Sequence, residues 1–213
     1  MYENGKKEKI VCLNKENSHY YGTVKGFGED GTPLYSGQFY DGKMEGIYKE
    51  YYESGKIFKE INFINDKENG QGKIYYEDGK ILRIVNLKNG KENGEVIDYY
   101  PNGKLKEKDS FKNGKREGES IIYYENGNVK QKSTFKNDKR EGDLFIYYPS
   151  GKLRQTEKFI NGKAEGEVIE YYENGVMKEK AYFINDKQEK EHLFYDEKGK
   201  LIKTDIYKNG VKQ

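Results

Sequence analysis

Nucleophilic or acid–base chemistry near neutral pH needs a nucleophile held beside a base, and the side chains best suited to it are few here: His19, His192 and the lone Cys12. The two histidines stand near opposite ends of the chain, and no serine recurs beside a histidine and an acid at a spacing that nucleophilic catalysis uses. Carboxylates are plentiful but interleaved with lysine, the pattern of a solvated surface. The turn glycines, most of them after Asn, Asp or Ser, close hairpins and do not open helices, so they build no phosphate loop. One cysteine allows neither an internal disulfide nor a cysteine-based metal site, and as a free thiol it is expected to be a buried residue of an end repeat. These residues predict a chain that is not an enzyme and holds no cofactor and no metal.

What does recur is aromatic. Tyr51, Tyr75, Tyr99, Tyr123, Tyr147, Tyr171 and Tyr195 fall 24 residues apart without a slip. Gly55 through Gly199 and Ile57 through Leu201 keep the same interval, as does the line from Phe39 through Phe183 to Tyr207. A second turn mark, Asn-Gly, Asn-Asp or Asp-Gly, runs in step from Asp41-Gly42 to Asn209-Gly210. Self-similarity of this kind identifies a repeat architecture in which each unit buries its apolar side only against its neighbours.

Composition agrees with an ordered but thin molecule. Of the 213 residues 33% are hydrophobic and 36% charged, and the mean hydropathy is -1.13. Those values border on disorder, but disordered chains are poor in aromatics, and this one has 21 Tyr and 10 Phe. Basic and acidic residues, 39 against 37, are mixed along the whole chain, leaving +2 and no electrostatic footprint for nucleic acid. The longest apolar run near the start, Ile10 to Leu13, is far short of a membrane span or a signal-peptide core.

Each period holds two turn signatures separated by segments of six to eight residues rich in aromatic and β-branched side chains, the mark of strands. At the first turn a two-residue loop, Asn102-Gly103, would carry Asp98, Glu50 and Glu170 onto the packed face. A three-residue loop, Pro101-Asn102-Gly103, sets Tyr99 opposite Leu105 instead, with Gly in the left-handed bulge position. Applied at both turns, that register gathers Ile97, Tyr99, Leu105 and Phe111 on one packed face. The predicted fold is all-β, an elongated single-layer antiparallel meander of 24-residue β-hairpin repeats, on the order of 70 to 80 Å long at about 4.8 Å per strand.

The repeats divide the chain into a degenerate capping repeat over 1–30, seven repeats over 31–198 and a partial capping repeat over 199–213. The first segment keeps YENGK at 2–6 but carries an offset before Gly31. Near the other end Lys190 replaces a repeat glycine and Asp196 replaces the second Tyr of the pair.

LYSGQFYDGKMEGIYKEYYESGK at 34–56, with the later YYENGK, YYPNGKL and FKNGKREGE, resembles the MORN repeat, and within it the bacterial variant of YwqK-type antitoxins. The resemblance covers nearly all of the chain from Gly31 onward. It implies a β-hairpin repeat scaffold that binds another protein, with an antitoxin or immunity role against a toxin. The doubled Tyr and the 24-residue period depart from the eukaryotic form, so its lipid-binding role is not carried over.

Within the predicted register the second Tyr of each pair, Tyr52, Tyr76, Tyr100, Tyr124, Tyr148 and Tyr172, points away from the packed face. A ladder of exposed rings about 10 Å apart is a recognition surface, since Tyr gives large contact area and a polar tip at low entropy cost. The expected function is a non-enzymatic protein-binding scaffold of the cytoplasm, or of the cell surface if a leader was removed, monomeric or weakly self-associating. The alternative is a structural array that self-associates through sheet edges, and membrane contact is disfavoured by the lack of a basic cluster or amphipathic helix.

Overall fold

Two breakers every 24 residues leave room for strands and for nothing longer. The computed structural model describes residues 8–16 and 18–213, and among these the regular structure is β throughout: 22 strands, from Lys9–Glu16 to Val211–Lys212. The YENGK match at 2–6 lies outside the described residues. The chain forms two compact units, a first made of residues up to 104 with 112–114, and a second made of 105–111 with 115–213. Each is an antiparallel meander one layer thick.

The first turn has the expected chemistry. Tyr76 N–H donates to the Lys80 carbonyl and Gly79 N–H to the Tyr76 carbonyl, both at 2.8 Å, and Tyr124 and Tyr148 repeat the arrangement. This is a three-residue loop closed by a glycine with φ of +87° at Gly79 and +97° at Gly127, a conformation that a Cβ would strain. Tyr51 therefore faces Ile57, and Tyr123 faces Val129.

Beyond the turn, however, the ladder slips. Tyr51 pairs with Ile57 but Glu50 pairs with Lys59, so one residue, Phe58, is extra. Such a β-bulge reverses the alternation of the strand that holds it. Ile121, Tyr123 and Val129 consequently share one face while Phe135 lies on the other. The expected gathering of Ile97, Tyr99, Leu105 and Phe111 on a single face is thus corrected, because the bulge moves the Phe111 line across the sheet.

The second turn is also tighter than expected. Phe135 pairs with Arg140 and Lys136 with Lys139, leaving only Asn137 and Asp138 in the loop. Both have positive φ, +49° and +67°, as the mirror-image two-residue hairpin turn requires. Two further residues are then absorbed around Gly142, φ +82°. At the corresponding place Lys190 adopts φ +64°, with its ammonium 3.4 Å from the centroid of the Tyr182 ring.

These slips define a covered face and an open face. In the first unit the covered face runs through Ile61, Gly72, Val85 and Val96, whose side chains are buried where present. Gly72 makes the packing possible, since a Cβ there would sit 2.6 Å from Ile61 Cγ1 and 3.1 Å from Val85 Cγ1. The acids that the expected register kept off the packed side are on it, and Asp98 and Glu170 each hold a cation there. Asp98, its side chain 14% exposed, receives Nε and Nη2 of Arg83 at 2.5 and 2.7 Å. In the second unit Glu170 is held by Lys178 at 3.1 Å and Arg154 at 3.5 Å. Burial of these carboxylates is tolerable because the fork of a guanidinium or an ammonium satisfies them.

The second unit's covered face is more polar: Asp109, Ser120 and Ser133 are buried beside Leu144, Glu157 and Ala181. Arg116 Nη2 lies 3.1 Å from Asp109 Oδ2. Arg116 and Arg140 cover this line by stacking on Phe135, 5.2 and 5.7 Å from its centroid, and Arg140 reaches Phe159 at 5.6 Å. Cys12, expected to be buried, is exposed, because its strand Lys9–Glu16 has a paired neighbour on one side only among the described residues.

Candidate interaction surface

The second tyrosines of the pairs were the residues expected to recognise a partner, and the structure gives their hydroxyls an internal task. Tyr52 Oη donates to the Tyr75 carbonyl at 2.6 Å, and Tyr76 Oη to the Tyr99 carbonyl at 2.8 Å. Tyr124, Tyr148 and Tyr172 do the same to Tyr147, Tyr171 and Tyr195 at 2.7 to 2.8 Å. Tyr100 holds the same half-buried place at its own three-residue turn. The picture of six freely exposed rings is therefore corrected: each ring is half-buried, because the hydroxyl must reach the neighbouring repeat's backbone to satisfy a strand-end carbonyl. Asp196 departs from the pattern and uses its carboxylate instead, accepting from Lys198 N and Lys200 N at 2.9 Å.

A second inter-repeat lock runs along the opposite ends of the strands. Asn137 N–H donates to Glu117 Oε2, Asn161 N–H to Glu141 Oε2 and Asn185 N–H to Glu165 Oε2, at 2.7 to 3.0 Å. The glutamate before each bulge glycine is therefore more than a solvated charge. Where the turn is Asn-Asp, the aspartate adds a third lock, as in Arg116 N to Asp138 Oδ1 at 2.8 Å. Rigid registration between repeats follows from these three bonds, each worth on the order of 1 kcal/mol net.

What remains available is the open face. In the second unit Ile121, Phe145, Ile169 and Leu193 stand in one column, each half-buried, opposite Lys132, Thr156, Lys180 and Thr204 on the intervening strands. Two residues before each column member is an exposed acid: Glu119, Asp143, Glu167 and Glu191. Glu119 pairs with Lys132 at 2.7 Å and Glu167 with Lys180 at 2.5 Å. Two residues after each column member is the first Tyr of a pair, and the hydroxyls of Tyr147, Tyr171 and Tyr195 make no hydrogen bond among the described residues. Shallow depressions of about 350 Å³ around Phe145 and Ile169 and about 560 Å³ around Leu193 lie along this column.

The first unit fills the same positions differently. Its open face carries Lys49 and Lys73 where the second unit has Ile and Phe, and only at Ile97, opposite Ile84, does it become apolar in the same way. Lys49 Nζ is 2.6 Å from Glu60, and Tyr75 Oη donates to the same carboxylate at 2.7 Å. Hydrogen bonds from Lys49 and Tyr75 hold Glu60 below the usual carboxylate range. Burial, reinforced by the bond to Glu60, pushes the Tyr75 phenol up to about 12. Tyr51 Oη is likewise engaged, 3.1 Å from Ser36 Oγ.

The histidines lie in different units. His19 stacks on Tyr40 and lies 2.6 Å from Asp41, while His192 stacks on Phe194 and contacts Gln188 and Glu179. The apolar column was missed in the sequence because its members were assigned to the packed side. The signal that finds them is a line one residue earlier, Val96, Ser120 and Leu144 buried and Val168 half-buried, which becomes legible only with the bulge in place.

No curated protein matches the chain. Among solved structures, a porin-like protein from Bacteroides uniformis ATCC 8492 is 8% identical, with 96% of this chain and 91% of that one covered and a TM-score of 0.24. A protein of unknown function from Bacteroides fragilis NCTC 9343 is 10% identical, with 86% and 96% covered and a TM-score of 0.12. Overlays that loose carry no inference. The family comparison is of another order: the model described as the MORN repeat variant matches seven consecutive segments, 44–65, 68–89, 92–113, 116–137, 140–161, 164–185 and 188–209. With that register running through well over half of its length, in step with the turns and bulges above, the chain belongs to the MORN repeat variant family.

Proposed function

We propose that the chain is a non-enzymatic scaffold that binds another protein on the open face of its second unit, as an antitoxin or immunity-type module of the YwqK kind acting in the cytoplasm. One observation carries this reading: the column Ile121, Phe145, Ile169 and Leu193 is half-exposed, regular and rimmed by charge, with none of the described residues laid over it. An apolar core with a charged rim is the composition of protein interfaces and is costly to leave facing water. The half-buried rings of Tyr124, Tyr148 and Tyr172, with Tyr52, Tyr76 and Tyr100 in the equivalent places of the first unit, follow the open-face tyrosines by one residue and form a second candidate contact line on the other side, where Arg154 lies over Tyr148.

The test is co-purification from the native host with wild type and with Phe145→Asp. A partner lost with the variant, while its thermal midpoint stays near that of wild type, supports the reading. A partner retained by Phe145→Asp overturns it. Changing Tyr124 and Tyr148 to Ser in a separate arm shows whether the second tyrosines contribute.

A self-associating array is favoured by a different observation, the exposure of Ile202, Ile206 and Val211 at 62%, 53% and 63%. Light scattering over a concentration series separates the two, since an array must grow with concentration.

A further inference from the structure

Resting on the open-face reading, we infer that the occupant of this surface is a polyproline II segment carrying an apolar side chain at every third residue and basic residues between them. The column repeats every second strand, which at about 4.8 Å per strand is a spacing of about 9.6 Å. A polyproline II helix has three residues per turn at 3.1 Å each, so one side of it repeats every ~9.3 Å. The alternatives fit worse: an extended strand presents one side every ~6.7 Å, and an α-helix returns to one side after seven residues and about 10.5 Å. Across the three intervals from Ile121 to Leu193 the slip is about 1 Å for polyproline II and about 3 Å for the α-helix.

Two further features of the surface match that ligand. A polyproline II backbone makes no internal hydrogen bonds, so its carbonyls need donors from outside. The hydroxyls of Tyr147, Tyr171 and Tyr195 stand two residues from the column on the same strands and have no partner among the described residues. On the other flank are Glu119, Asp143, Glu167 and Glu191, all exposed. Glu119 and Glu167 already hold lysines, whereas Asp143 and Glu191 have no ion-pair partner among the described residues. Aromatic hydroxyls on one side, acids on the other and apolar side chains between them form a groove for a proline-rich basic segment, which binds at low entropy cost because it is already extended.

The probe is a capped peptide of repeated Leu-Pro-Arg triplets, titrated into the full chain and followed by calorimetry. The controls are the same composition with its leucines clustered, a Leu-Pro-Glu version, and a helical peptide with Leu at every seventh residue. The triplet peptide is expected to bind about tenfold or more tightly than each control. Phe145→Asp is expected to abolish that advantage. Joint replacement of Tyr147 and Tyr171 by Phe is expected to cost roughly three- to tenfold with no change in thermal midpoint, since these hydroxyls hold nothing among the described residues. A clustered or acidic peptide that binds equally well overturns the proposal, as does tighter binding of the helical one or a Phe145→Asp variant that binds the triplet peptide unchanged. If the triplet peptide fails while Phe145→Asp still releases the native partner, the open face stands and the polyproline assignment falls. If Phe145→Asp also keeps the native partner, both fall.

Discussion

The two units carry the same turns and the same bulges with different chemistry on parts of their faces. In the first, the covered side is apolar through Ile61, Val85 and Val96, and the open side carries the bonded cluster of Lys49, Glu60 and Tyr75 before turning apolar at Ile84 and Ile97. In the second, buried Asp109, Ser120 and Ser133 share the covered side with Phe135, Leu144 and Ala181, and Ile121, Phe145, Ile169 and Leu193 line the open one. The backbone locks between repeats therefore set the fold, and the side chains between the locks are free to move apolar surface to whichever face has a use for it. Polar residues admitted to the covered side and apolar ones kept on the open side give up stability to present a surface.

The contrast can be broken at the covered face, where the largest effect is expected. Val85→Asp in the first unit places an unpaired carboxylate in an apolar line and should cost about 3 kcal/mol or more in urea unfolding. A loss under about 1 kcal/mol would mean that the two covered faces are equally tolerant. The counterpart in the second unit carries the opposite sign. Ser133 is 2% exposed and its Oγ is buried without a hydrogen-bond partner among the described residues, so Ser133→Val should be neutral or stabilising by up to ~1 kcal/mol. Clear destabilisation would show that this hydroxyl is satisfied in solution.

The locks should respond alike in both units. Tyr76→Phe and Tyr124→Phe each remove one hydroxyl bond, of 2.8 Å in both cases, and should each lower stability by about 0.5 to 1.5 kcal/mol. A difference between them larger than either loss would make the units mechanically unlike.

The smallest effect is confined to high pH and to the first unit. The Tyr75 phenol titrates at about 12 in the folded chain against 10.0 unperturbed, so the fold favours its protonated form. Its contribution is complete below pH 10, declines as pH rises and is gone above about 12. Unfolding followed from pH 9 to 12 should show this decline in wild type and less of it in Tyr75→Phe. Absorbance at alkaline pH should likewise show one late-titrating tyrosine that the variant lacks.

Much of this was legible beforehand. The 24-residue period, the strand content, the three-residue first turn and the pairing of Tyr51 with Ile57 all follow from residue types, because Asn, Gly and Pro constrain φ locally. The faces were not legible. Phe58 and its equivalents look like ordinary strand residues, yet each is the extra residue of a bulge. Nor could the sequence show that the hydroxyl of Tyr124 ends on the carbonyl of Tyr147, since that bond links residues 23 apart through the stacking of repeats.

The sequence by itself determined the repeat, its length and its turns, for those are written in short-range conformational preferences that need no partner. Only the tertiary structure decided which side of the sheet is covered, which tyrosines are spent and which remain for recognition. The physical reason is parity: with side chains alternating at every residue, a single bulged position exchanges inside for outside along the rest of its strand, and whether a bulge forms depends on how neighbouring repeats pair.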